Sequence, residues 1–130
     1  MTVSNLIDSS VWIAYLFEGR YKKVIEIEKT DYLSVISLFE IKRKLEQREL
    51  SPELIKEKIE YIKKRALIIP VDEIIAEKAA TISLEHNLAA SDSIIYATAL
   101  INKAELLTLD NDFRGLMNAK VLDAESENRK

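Results

Sequence analysis

Asp110 and Asp112 stand one residue apart in "LLTLDNDFRGL", directly after an apolar run that reads as a strand. Three more acidic residues occupy similar junctions: Asp8 follows the apolar "NLI", Glu40 lies in the first turn after "SVIS", and Asp92 opens the helical stretch "SDSIIYATAL". Each has a local explanation. Asp8 and Asp110 have the residue type and position of helix N-caps, Ser37-x-x-Glu40 has the spelling of a capping box, and Asp92 suits the positive end of a helix dipole. Together these explanations weaken, because Ser9, Ser10, Ser37, Ser91 and Asn111 already sit beside the carboxylates to cap those ends. Carboxylates gathered on one rim repel each other more as water is excluded, and protons or cations must offset that repulsion.

The donor atoms decide which cation. Cysteine is absent, and the single histidine, His86, sits beside Asn87 at an expected helix end, where it has no catalytic part to play. A site made only of oxygen donors selects the hard cations Mg2+ or Mn2+ over zinc or copper. Mg2+ takes one or two carboxylates directly and keeps several waters, which leaves further carboxylates to hold those waters. This is the chemistry of metal-assisted phosphodiester hydrolysis.

The elements that must position these residues follow from hydrophobic period. "VSNLI" reads as a short buried strand, and "SVWIAYLFE" as a helix capped by Ser9 or Ser10 with Trp12, Ile13, Leu16 and Phe17 at helical spacing. "GRYKKVIEIEK" predicts a second, charged helix, "DYLSVI" a strand, and "SLFEIKRKLEQREL" an amphipathic helix with Leu38, Ile41 and Leu45 on one stripe. Pro52 after Ser51 marks the first turn of a helix, "ALII" is of strand length, and "VDEIIAEKAATISLEHN" returns to helical period. Another helix, then strands at "ELLTL" and "KVLD", precede the polar tail "AESENRK". Strands alternating with helices imply an α/β fold, a parallel sheet covered on both faces. Right-handed crossovers then bring every strand's C-terminal end to one edge, so the acidic residues share that rim.

Composition sets the outer bounds. At 130 residues, 48% hydrophobic and 32% charged, the chain suits one compact domain, expected over residues 1–124 with a polar tail over 125–130. A net charge of −3 argues against affinity for nucleic acid through bulk positive charge, although a metal ion supplies local charge where it is needed. No stretch approaches the roughly 18 apolar residues of a membrane span, and the N-terminus lacks the basic and apolar regions of a signal peptide, so a cytoplasmic protein is expected.

As a set, "LIDSSVWIAYL", "SVISLFEIKRKL", "AASDSIIYATAL" and "LLTLDNDF" resemble the successive acidic motifs of PIN-domain ribonucleases, in the order and spacing of VapC-type toxins of toxin-antitoxin pairs. The resemblance spans essentially the whole chain. It implies a three-layer α/β/α fold with about five parallel strands in the order 3-2-1-4-5, which makes the first and fourth strands neighbours. It further implies a Mg2+- or Mn2+-dependent endoribonuclease acting on RNA, a cognate VapB-like antitoxin, and a homodimer. Asp8, Glu40, Asp92 and Asp110 match the catalytic, metal-binding positions, and Asp112 matches a further acidic position that supports the metal or caps the next helix. Ser9 and Thr108 match small hydroxyl residues beside the site, given orienting roles.

One departure stands at Leu109, where many relatives carry arginine and this chain loses a phosphate contact. Arg43 and Arg114 are the basic residues that the motifs bring closest to the rim, and so the expected RNA contacts. Trp12, Tyr15, Leu16 and Phe17 are more than one helix face hides, which leaves partner groove and core packing both open. Alternatives are a PIN nuclease of RNA processing outside any toxin pair, and a non-catalytic PIN-like module that binds RNA or protein; the latter is expected to have lost acidic positions. A haloacid-dehalogenase-type phosphatase also begins with a strand-end Asp, but needs a second Asp two residues later, where this chain has Ser10.

Overall fold

The structure, a computed structural model, describes residues 4–123. The polar tail expected over 125–130 lies outside the described residues, as do the first three. Five strands form one parallel sheet: β1 (Asn5–Ile7), β2 (Asp31–Ser34), β3 (Ala66–Ile69), β4 (Glu105–Thr108) and β5 (Ala119–Val121), in the order β3-β2-β1-β4-β5. That is the α/β arrangement and strand order implied by the resemblance.

Alternation along the strands explains the layers. Leu6 and Leu106 face one way, into a core with Ile75, Ala79, Ile82, Ile95 and Phe113. Their neighbours Ile7 and Leu107 face the other way, into a core with Trp12, Ile41, Leu45, Ile55 and Ile62. Because both faces are covered, the central strands read as continuous apolar runs with no polar side. The first core is roofed by α5 (Glu73–His86) and α6 (Ala90–Ile101), the second by α1 (Ser9–Glu18), α3 (Val35–Gln47) and α4 (Pro52–Arg65). Among the described residues no helix is long and apolar enough to cross a membrane.

Three local expectations need correction. The third helix begins at Val35, with Ser34 as its N-cap accepting a hydrogen bond from the Ile36 N–H at 3.1 Å, so Ser37 lies inside the first turn, fully buried, and no capping box with Glu40 forms. The first helix has Asp8 at its N-cap position, with no side-chain cap; Ser9 and Ser10 are helical residues. The charged second helix shrinks to α2 (Lys22–Ile25), because Arg65 takes over its last carbonyls: Nε donates to Ile25 O at 2.9 Å and Nη2 to Ile27 O at 2.7 Å. Pro52 and Ser51 behave as expected, the Ser51 hydroxyl accepting from the Leu54 N–H at 3.2 Å.

Candidate active site

Strand order reverses between β1 and β4, and ligands of open parallel sheets bind beyond the strand ends at such a point. Register sets what meets there. Ile7 pairs with Leu107, so Asp8, just past β1, stands beside Thr108, the last residue of β4, and the Asp8 N–H donates to Leu107 O at 2.9 Å. Thr108 Oγ1 donates to Asp8 Oδ2 at 2.8 Å and accepts the Asp110 N–H at 3.0 Å. Ser10 Oγ donates to the same Asp8 oxygen at 2.8 Å.

The remaining carboxylates arrive from three elements. Asp110 follows β4 and caps the 3-10 turn Asn111–Phe113, its Oδ1 accepting the Asp112 N–H at 2.9 Å. Its local reading as a cap is therefore realised, and that bond also draws Asp112 beside it. Asp92 sits in the first turn of α6, whose N-cap Ala89 offers no side chain. One carboxylate oxygen from each of Asp92, Asp110 and Asp112 lies within 4.8 Å of the others. Glu40 reaches in from α3, where its Oε1 accepts a hydrogen bond from Ser9 Oγ at 2.8 Å. Ser9 and Thr108 thus each hold an acidic side chain.

Electrostatics ties the five together. Burial pushes the Asp8 carboxyl above the ordinary carboxylate range, and the hydroxyls of Ser10 and Thr108 and the N–H groups of Ser9 and Ser10 hold it back. Burial also raises Glu40, with the Asp8 charge adding to the rise and the Ser9 hydrogen bond opposing it. Asp92 is pushed from its ordinary 3.8 up to about 6, first by burial and then by repulsion from Asp110, Asp8, Asp112 and Glu40. A carboxylate that served only a helix dipole would be held down by it. Here desolvation and like charge outweigh the dipole.

Arg114 lies two residues beyond Asp112, exposed, with Nη2 and Nε donating to Asn111 Oδ1 at 2.8 and 3.2 Å. Arg43, also exposed, lines a shallow groove on α3 and α4 with Val35, Leu38, Phe39 and Glu46. Among the described residues no ion pair joins either arginine to an acidic residue. Trp12 is core, with its ring edge-on to Tyr15 and Tyr61 at centroid distances of 6.0 and 6.3 Å. Tyr15 and Leu16, in contrast, line a groove of about 700 Å3 against α4, together with Lys22, Glu26, Lys56 and Tyr61.

A family model of the PIN domain matches residues 6–116. The chain belongs to the PIN domain family. PIN domains are nucleases, and in this one Asp8 and Asp110 stand just past the ends of β1 and β4, with Glu40 reaching in from α3 and Asp92 from the first turn of α6. It is similar to a toxin-antitoxin complex from Klebsiella pneumoniae, with 26% identity and a TM-score of 0.79 over 91% of this chain and 97% of that one. It is also similar to FitAcB from Neisseria gonorrhoeae, with 25% identity and a TM-score of 0.67 over 91% and 96% of the two chains. The sarcin-ricin loop cleaving toxin of Mycobacterium tuberculosis shares the fold, with a TM-score of 0.65 at 16% identity over 96% and 94%. A search of curated proteins returned no match.

Ser10 is the site residue that the sequence reading missed, having given it only a helix-capping role. Its signal was present all the same: a hydroxyl two residues after a strand-end Asp, at a strand-to-helix junction, can fold back on that carboxylate.

Proposed function

We infer that this PIN domain is a divalent-metal-dependent endoribonuclease, the VapC-like toxin of a toxin-antitoxin pair acting on RNA in the cytoplasm. The observation that carries the reading is the convergence of Asp92, Asp110 and Asp112, one carboxylate oxygen of each within 4.8 Å of the others, with Asp8 and Glu40 close enough to add to the repulsion on Asp92. Such an arrangement is costly without a counter-charge. The donor set fits Mg2+ or Mn2+, since every candidate ligand atom is a carboxylate oxygen.

Asp92, Asp110 and Asp112 would hold the ion, with Asp8 and Glu40 completing the set directly or through water. When bound, the ion lowers the pKa of an attacking water and neutralises the phosphate. The chain's own groups orient this site: Thr108 fixes the rotamer of Asp8, Ser9 fixes Glu40, and the Asp110 cap fixes Asp112. Arg114, two residues from Asp112, and Arg43 on the helix of Glu40 are the groups offered to the RNA backbone. With a net charge of −3, the protein must draw its substrate affinity from these local charges.

The likeness to the toxin-antitoxin complex from Klebsiella pneumoniae supports a partner of antitoxin type, and the groove lined by Tyr15, Leu16 and Tyr61 suits a protein segment. A homodimer is the oligomer in keeping with this reading. A small DNA-binding protein encoded beside this reading frame is the expected companion.

The decisive comparison is cleavage of a defined RNA by the parent and by Asp8→Asn, in Mg2+, in Mn2+ and in EDTA. The parent is expected to cut only with metal, and the variant to lose cutting while keeping its circular-dichroism spectrum and melting transition. Cleavage by Asp8→Asn at the parent's rate, or by the parent in EDTA, overturns the reading.

A further inference from the structure

Ser10 spans the switch point with a single hydroxyl. Its Oγ donates to Asp8 Oδ2 at 2.8 Å, accepts the Leu109 N–H at 3.0 Å, and lies 3.4 Å from Thr108 Oγ1. Thr108 makes the matching pair, donating to Asp8 Oδ2 at 2.8 Å and accepting the Asp110 N–H at 3.0 Å. Two hydroxyls thus converge on one carboxylate oxygen, and each also holds one of two consecutive N–H groups just past β4.

This double bridge has two geometric consequences. Tilting the plane of the Asp8 carboxylate breaks both hydroxyl bonds, so the plane is held, and Oδ1 is the oxygen to which neither hydroxyl donates. The backbone leading into Asp110 is tied to the start of α1 through Ser10, so the two aspartates from different strands keep a fixed spacing. Serine is also a weaker helix former than alanine, and its hydroxyl does not cap α1. The residue has no local reason to be there.

We propose that Ser10 is a positioning residue of the metal site, which reserves Asp8 Oδ2 and anchors the Leu109 backbone so that Asp8 and Asp110 address one cation. This rests on the nuclease reading above. Removing a supporting hydrogen bond of this kind typically weakens metal binding by roughly 10- to 100-fold. Serine at this position is more specific than a generic polar residue, because the group must donate to a carboxylate and accept an N–H at once, as a hydroxyl does.

The test is direct Mn2+ titration of the metal-free parent, Ser10→Ala and Ser10→Thr, read from the loss of the free-Mn2+ paramagnetic resonance signal, beside thermal melts in EDTA. Alanine favours the helix, and Ser10→Ala is expected to remain folded at the assay temperature. It is expected to bind Mn2+ at least about tenfold more weakly, whereas Ser10→Thr restores binding close to the parent's. Mn2+ bound as tightly by Ser10→Ala as by the parent, whether or not the melting point falls, overturns the positioning role. A parent that binds Mn2+ and cuts RNA keeps the nuclease reading in that event. A parent that does neither removes both.

Discussion

Replacing Asp92 with asparagine removes the carboxylate under greatest pressure, so in EDTA at neutral pH the variant is expected to be more stable than the parent. The Asp92 pKa rises from 3.8 to about 6 in the folded state. Folding therefore favours the protonated acid: the stabilising contribution is complete below 3.8 and is lost as pH rises through about 6. At about 1.4 kcal/mol per pH unit the ceiling on that loss is about 3 kcal/mol. Asp92 is only half-buried, and solvent screening brings the expected effect down to roughly 1–2 kcal/mol. For a domain of this size that corresponds to a rise in Tm of roughly 3–8 °C. Circular-dichroism melts in EDTA at pH 8 are expected to place Asp92→Asn above the parent by this margin, and melts below pH 4 to bring the two together. A variant that melts lower at pH 8, by the roughly 0.3–1 kcal/mol of a lost first-turn helix charge, would refute the reasoning, because the dipole would then outweigh burial and repulsion.

Other outcomes follow from the same geometry. Mg2+ at a hundred times its Kd is expected to stabilise the parent by about 2.7 kcal/mol in urea unfolding at pH 8, and to leave Asp92→Asn with little of that gain; equal gains in both would contradict the site. The metal-induced gain should shrink as pH falls through about 6, where Asp92 takes up its proton, and a gain independent of pH would point to ligands elsewhere. Ser34→Ala is expected to cost about 1 kcal/mol as a lost N-cap. Ser37→Ala is expected to be neutral or stabilising, because the buried Ser37 hydroxyl has no hydrogen-bond partner among the described residues. Urea midpoints of the two variants distinguish them, and a reversed order would restore Ser37 as the cap.

Much of this architecture was legible in the residues. Apolar runs such as "NLI" and "ELLTL" are central strands because a parallel sheet buries both faces, and their alternation with amphipathic stretches leaves few topologies open. The strand order came with the resemblance to the PIN family, whose motifs span the chain. Helix starts were harder. In "LSVISLFE" two serines compete as caps while Val35 and Ile36 favour extended backbone by themselves, and only the packing of Ile41 and Leu45 into the core selects Ser34. The truncation of α2 depends on Arg65, 40 residues away from Ile25, and no local pattern contains that contact. At the site, residue types and strand-end positions singled out the acidic residues, but which of them lie closest together depends on the Asp110 cap drawing in Asp112. The double use of the Ser10 hydroxyl is likewise a product of the β1–β4 register, invisible until Asp8 and Leu109 are side by side.

The most direct measurement is an anomalous difference map from crystals grown or soaked in saturating Mn2+. The expected result is a peak among the carboxylates of Asp92, Asp110 and Asp112, on the side facing Asp8, that disappears in Asp92→Asn. Carboxylates with no peak between them at saturating Mn2+, in a protein that still cleaves RNA, would contradict the claim that this acidic rim exists to hold a cation.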